Sequence, residues 1–169
     1  SKGFKVDYLP VDKFGMINTS DLQNIISDKT SLVSVMFGNN EVGTIQPIQK
    51  IAKICHENQI IFHTDAVQVI GKIPVDVKEL DVDLLSISSH KLHGPKGIGA
   101  LYIKDGVKID PMILGGGQEF RLRSGTENVA NIVGFGQACE IAQNNLDQNI
   151  SLIKKLQSQL IKKILNEIP

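Results

Sequence analysis

Ile60-Ile61-Phe62-His63-Thr64-Asp65 and Val82-Asp83-Leu84-Leu85-Ser86-Ile87-Ser88-Ser89-His90-Lys91 are the stretches on which the fold turns. Each holds a short apolar run, Ile60 to His63 in one and Val82 to Ile87 in the other, and each run ends in polar residues. Short apolar runs bounded by turn signals read as strands. Outward from these two, Ser31 to Phe37 is a valine-rich run interrupted by Gly38, Asn39 and Asn40. Ile98 to Ile103 is another, followed by Asp105-Gly106 as a hairpin turn. Pro47 opens a helix whose apolar positions Ile48, Ile51, Ala52 and Cys55 keep helical spacing. Strands alternating with helix-period stretches predict an α/β fold with a mainly parallel sheet flanked by helices.

Toward the N-terminus, Lys5 to Leu9 reads as a short strand closed by Pro10, and Ser20 as the cap of a helix through Leu22, Ile25 and Ile26. From about Glu127 the pattern is helical to the end. Ile132, Phe135, Cys139, Ala142 and Leu146 form one stripe, and Ile153, Leu156, Leu160 and Ile164 a second. The second stripe needs a partner surface, on this domain, on another subunit or on a further part of the chain.

The 169 residues hold 18 Lys plus Arg against 18 Asp plus Glu, a balance with no electrostatic footprint for nucleic acid. No apolar run has the roughly 18–20 residues of a membrane span. Cys55 and Cys139 are too few for a disulfide framework or a four-cysteine metal site, and both lie on apolar stripes that predict burial. No basic-then-apolar leader precedes the first strand-like run, so no targeting peptide is expected and the compartment expected is the cytoplasm, with the mitochondrial matrix as alternative. Asn18-Thr19-Ser20 and Asn149-Ile150-Ser151 match the glycosylation pattern and read as chance matches.

Open parallel sheets bind ligands beyond the carboxyl ends of their strands. Here three strands each deliver polar groups at that end: Asn39, Asn40 and Glu41; Asp65 and Gln68; Ser88, His90 and Lys91. A lysine at a strand end can be a Schiff-base nucleophile. Asp65 can pair with a protonated pyridine nitrogen, which keeps such a ring an electron sink. Ser88 and His90 can donate to a phosphate, and Asn40 and Gln68 can hold a phenolate oxygen. That set suits pyridoxal 5'-phosphate. The plain alternatives are Asp65 capping a following helix, Lys91 as a solvated surface charge, and His90 and His93 as loop residues. His63-x-Asp65 and His90-x-x-His93 also offer metal ligands, a reading that leaves Gln68, Lys91 and the 123–128 segment unused; no metal is expected.

Four motifs, Asn39-Asn40-Glu41-Val42-Gly43, His63-Thr64-Asp65-Ala66-Val67-Gln68, Ser88-Ser89-His90-Lys91-Leu92-His93-Gly94-Pro95-Lys96-Gly97, and Gly115-Gly116-Gly117-Gln118-Glu119 followed by Arg123-Ser124-Gly125-Thr126-Glu127-Asn128, occur in series. Together they resemble the cysteine desulfurases of the NifS/IscS type, class V aminotransferase-like enzymes of the fold type I pyridoxal-phosphate group. The resemblance implies that Lys91 carries pyridoxal phosphate, that Asp65 meets its ring nitrogen and Gln68 its ring hydroxyl oxygen, and that Asn40 lies near that oxygen and the substrate carboxylate. It implies Ser88 and His90 as phosphate ligands, and Thr126 as reaching the phosphate of a neighbouring subunit in a homodimer. It further implies the conversion of L-cysteine to alanine, with the sulfur left as an enzyme persulfide and passed to an acceptor such as an iron–sulfur scaffold protein. The family's sulfur-accepting cysteine matches neither Cys55 nor Cys139. By the same resemblance, residues 1–128 correspond to the second half of the cofactor-binding large domain, and 129–169 to helices leading to a small domain. Such a piece, lacking the family's N-terminal part and its cysteine loop, is expected to be inactive alone. Selenocysteine lyase, with the same fold and cofactor, and a non-catalytic module that keeps the fold for dimerisation and interaction are the alternatives.

Overall fold

A computed structural model describes residues 3–168. The elements run α1 (Thr19–Ile25), β1 (Leu32–Met36), α2 (Ile48–Glu57), β2 (Ile61–Asp65), α3 (Val77–Leu80), β3 (Leu84–Ser88), a 3-10 turn (Ser89–Leu92), β4 (Gly99–Ile103), a second 3-10 turn (Glu119–Arg121), α4 (Val129–Asn144) and α5 (Leu146–Glu167). The sheet order is β1-β2-β3-β4. The first three strands are parallel and β4 is antiparallel to β3. The expected mainly parallel α/β sheet with flanking helices is thus the architecture found.

Strand residues alternate between the faces of a sheet. On one face Val33, Val35 and Phe62 are buried together with Ile48, Ile51 and Cys55 of α2. Thr64 also points into this layer, and its hydroxyl donates to the Val35 carbonyl at 2.9 Å, which satisfies its polar group. The other face carries Ser34, Met36, His63, Asp65, Ser86 and Ser88, all half-buried or exposed. Parallel strands are usually covered on both sides; this second face also carries Leu32, Ile61 and the buried Leu84 beside its polar residues.

Two close contacts shape the site end of the sheet. A Cβ on Gly99 would lie 2.6 Å from the Ile87 carbonyl oxygen, so β4 closes onto β3 there only with glycine. The 3-10 turn is held from behind by α4, where Phe135 and Ala138 pack on Leu92. At the opposite end, Asp83 accepts the Phe62 N–H at 2.8 Å and sits 3.1 Å from His56 Nε2, while Asp81 pairs with Lys104 at 2.6 Å. The Lys104 ammonium holds Asp81 below its ordinary value, and the same hydrogen bond raises Lys104. Both side chains are well exposed, so this pair contributes little stability.

Four expectations are corrected. Lys5 to Leu9 is not a strand. Phe4, Val6 and Tyr8 alternate as a strand would, but among the described residues no strand pairs with them and they stand exposed. The cap of α1 is Asn18, whose side chain accepts the Ser20 N–H at 3.0 Å, and the helix starts at Thr19. Asp105-Gly106 forms a turn closed by Val107 N–H on the Lys104 carbonyl at 3.0 Å, but among the described residues no strand returns from it. Cys139 is only half-buried, whereas Cys55 is fully buried.

The helical expectation from about residue 127 holds, with a break at Asn145 between α4 and α5. The α5 stripe finds no cover among the described residues: Ile153, Leu156, Leu160 and Ile164 are 45–60% exposed. Burial and the nearby Asp83 charge push the Cys55 thiol up to about 12, and burial also raises Cys139. Because the thiolate is the reactive form, iodoacetamide at pH 8 is expected to label Cys139 first and Cys55 only after unfolding. Peptide mass spectrometry checks this; equal labelling of both in the folded chain would contradict the packing around α2.

Candidate functional site

The carboxyl ends of β1, β2 and β3 lie side by side. Met36 is in register with Asp65, and Asp65 with Ser86. The Phe37 N–H donates to the Asp65 carbonyl at 2.8 Å, and the Ala66 N–H to the Ser86 carbonyl at 3.0 Å, so the backbone at this edge is pinned across three strands. Asp65 is the last residue of β2 and Ser88 the last of β3. His90 and Lys91 follow in the 3-10 turn, whose C-terminal His93 takes a left-handed conformation, φ +62°.

Asp65 Oδ1 accepts the Val67 N–H at 2.9 Å, so one of its two oxygens caps the turn after β2, where no helix follows directly. Gln68 is half-buried in the next turn, and its Oε1 accepts from Lys72 at 3.4 Å. Ser88 Oγ and His90 Nδ1 are hydrogen-bonded at 2.8 Å, which ties two of the expected anion donors into one unit. Among the described residues no carboxylate pairs with Lys91. After β1, Asn39 is structural: its Oδ1 accepts the N–H groups of Glu41 and Val42 at 2.8 and 2.9 Å. Asn40 beside it is exposed and makes no such bond among the described residues.

Asn40, Asp65, Gln68, Ser88, His90 and Lys91 therefore share one edge of the sheet. Thr126 is exposed in the loop before α4. That loop folds on itself. Ser124 Oγ donates to the Gly116 carbonyl at 2.7 Å, and Gln118 Oε1 accepts the Gly125 N–H at 3.1 Å, so the 115–119 and 123–128 motifs are brought together. A cavity of about 350 Å³ lies there, lined by Gly115, Arg121 and Ser124 among others, and one of about 430 Å³ lies near Pro10 and Asp21. Neither is lined by Asp65 or Lys91.

His63 is the residue whose place the sequence did not reveal. Its Nδ1 is 2.8 Å from Ser34 Oγ and its Nε2 is 2.9 Å from Ser86 Oγ, a polar bridge over three strands on the Asp65 face. Burial lowers its pKa below the ordinary value, and the Asp65 charge opposes that shift. The available signal was the spacing His63-x-Asp65, which in a strand puts both side chains on one face. Among the described residues no three His, Cys, Asp or Glu side chains are placed to hold a metal ion.

Fold and strand ends together define an open-sheet α/β protein with its candidate site beyond the carboxyl ends of parallel strands. The chain belongs to the aminotransferase class-V family, whose sequence model matches residues 1–169. It is 56% identical over 164 residues to the cysteine desulfurase IscS of Methanosarcina thermophila, an alignment covering 97% of this chain and 41% of that protein. With the cysteine desulfurase of Rattus norvegicus it shares 48% identity, over 100% of this chain and 38% of the relative. Among solved structures, a NifS-like protein superposes with a TM-score of 0.94 at 48% identity, over 98% of this chain and 46% of that one. The chain thus spans about two fifths of the length of the curated relatives it matches.

Proposed function

We propose that this chain carries the lysine-bearing part of a pyridoxal-phosphate-dependent cysteine desulfurase. The observation that carries the reading is the order of groups along one sheet edge: the Asp65 carboxylate at the end of β2, then the Ser88–His90 pair and the Lys91 amine just past β3. The donor set fits the cofactor. It offers a carboxylate for a ring N–H, a hydroxyl and an imidazole for a phosphate, and an amine that no carboxylate of the described residues neutralises.

In this reading Asp65 holds the ring nitrogen, Gln68 and Asn40 face the ring oxygen, and Ser88 and His90 take the phosphate. Thr126, on its exposed loop, serves the phosphate of a second copy in a homodimer. Lys91 anchors the cofactor through its Nζ and, once released, moves a proton between the substrate carbons. Pyridoxal phosphate, when bound, supplies the electron sink for the charge that develops at the substrate α-carbon. L-cysteine is the substrate, alanine the product, and the sulfur passes to an acceptor such as an iron–sulfur scaffold protein. Neither cysteine of this chain suits the sulfur-accepting role, because the thiolate is the nucleophile and burial raises both thiols. The helices from 129 onward form the link toward a second domain. The compartment proposed is the cytoplasm; the relative from Arthroderma benhamiae, 50% identical over 97% of this chain, is named as mitochondrial and makes the matrix the alternative.

The test is trapping. The chain is incubated with pyridoxal phosphate, reduced with borohydride, digested and examined by mass spectrometry. A phosphopyridoxyl group confined to Lys91 is the expected result; labels scattered over surface lysines with none favoured would refute the assignment of Lys91.

A further inference from the structure

We propose that His63 is a positioning residue for Asp65: held between two hydroxyls, its ring titrates in place and sets the charge that the Asp65 carboxylate offers to a cationic nitrogen heterocycle. The proposal rests on the reading of Asp65 as that carboxylate.

The clamp itself carries the argument. Ser34 and Ser86 reach the two ring nitrogens from opposite sides, at 2.8 and 2.9 Å. A hydroxyl can donate or accept. With a neutral ring, one serine donates to the bare nitrogen and the other accepts from the N–H. When solvent delivers a proton to the bare nitrogen, that serine's hydroxyl turns and both serine oxygens accept. Both hydrogen bonds survive, and no heavy atom needs to move. A carboxylate partner would have fixed the ring in one charge state; two hydroxyls leave both states open.

The position of the clamp gives it a target. His63 and Asp65 are two residues apart on one strand and therefore on one face, and Ser86, which holds the ring, is the register partner of Asp65. Around the ring, β1 presents Leu32, Ser34 and Met36, and β3 presents Leu84 and Ser86. The Asp65 charge acts on the ring and opposes the downward shift that burial gives it. Charges in a half-buried setting interact more strongly than in bulk water. A neutral His63 leaves the Asp65 charge for a ring cation, whereas a protonated His63 competes for it. A hydrogen-bonding strut alone would hold the strands together equally well without sensing Asp65.

NMR titration of the 169-residue chain, following the His63 ring and the Asp65 carboxyl carbon, separates these roles. Asp65→Asn is expected to move the His63 midpoint to lower pH, since it removes the charge that favours the imidazolium. In the unsubstituted chain the Asp65 carbon is expected to show an inflection at the pH where His63 titrates, because the imidazolium charge that forms on the same face acts on the carboxylate. A His63 midpoint that Asp65→Asn leaves in place overturns the proposal. So does a featureless Asp65 signal in the unsubstituted chain, a reading that needs no variant to fold. In a second arm, pyridoxal phosphate is titrated into the chain and into His63→Gln. The ratio of their dissociation constants is expected to change several-fold as pH falls through the His63 midpoint, and a flat ratio overturns the proposal. The NMR arm contains no cofactor, so a chain that takes up none at Lys91 defeats the cofactor reading while the coupling is still decided.

Discussion

Lys91→Ala abolishes the borohydride-trapped pyridoxal adduct and leaves the fold in place. The chemical half of this expectation follows from the Schiff base needing a primary amine, which alanine lacks. The structural half follows from how the turn is held. Leu92 packs against Phe135 and Ala138, and Ser89 accepts the Gly94 N–H at 3.1 Å; Lys91 contributes to neither. Lys91 is half-buried and in no ion pair among the described residues, so its removal should change stability by no more than about 0.5 kcal/mol, as for substitutions away from packing and networks. The control is Lys96→Ala, an exposed lysine five positions on, which should keep the adduct. A Lys91→Ala chain that still gave a single-site adduct would move the nucleophile elsewhere. One that lost adduct and thermal transition together would show that Lys91 supports the turn instead.

Phe62→Ala has the largest expected effect on the fold. Phe62 is 0% exposed, in the layer between β2 and α2, and is the largest fully buried side chain among the described residues. Truncating such a phenylalanine loses its transfer energy and leaves a cavity, about 3–5 kcal/mol in all. Domains are stable by only about 5–15 kcal/mol, so this substitution removes a large share. Urea denaturation checks it through the midpoint, with an unchanged slope expected if the native state keeps its extent. The trapped adduct should weaken too, because Asp65 ends the same strand. A midpoint shift equivalent to less than about 1 kcal/mol would mean that the β2–α2 layer repacks around the gap.

How much of this was legible depends on whether the cause was local. The four sheet strands showed in the sequence because each run carries its own punctuation: Gly38 after β1, the Gly94–Gly97 segment before β4. The strand-end positions of Asp65 and Ser88 followed directly. Lys5 to Leu9 carries an equally good alternation, but a strand also needs an edge, and no five residues can report whether one is available. The cap of α1 was misplaced by two residues because Asn18, Thr19 and Ser20 are all good capping types. His63 was legible only as a possible metal ligand because the serines that hold it come from neighbouring strands, 29 and 23 residues away along the chain. The cluster of His56, Asp81, Asp83 and Lys104 escaped notice for the same reason. Thr126 was placed by resemblance, not by any local pattern, and it is exposed in the loop before α4.

The reversal of β4 also governs the order in which the sheet can assemble. Parallel neighbours are joined by the long crossovers 37–60 and 66–83, whereas β3 and β4 are joined by residues 89–98 alone. The entropy lost in closing a loop rises with its length. The hairpin-like pair therefore demands the least ordering of the chain, and its connection is the one that contains Lys91. The turn with Lys91 belongs to the most local part of the topology, while the Asp65 end of β2 joins the same sheet only by a long-range docking event.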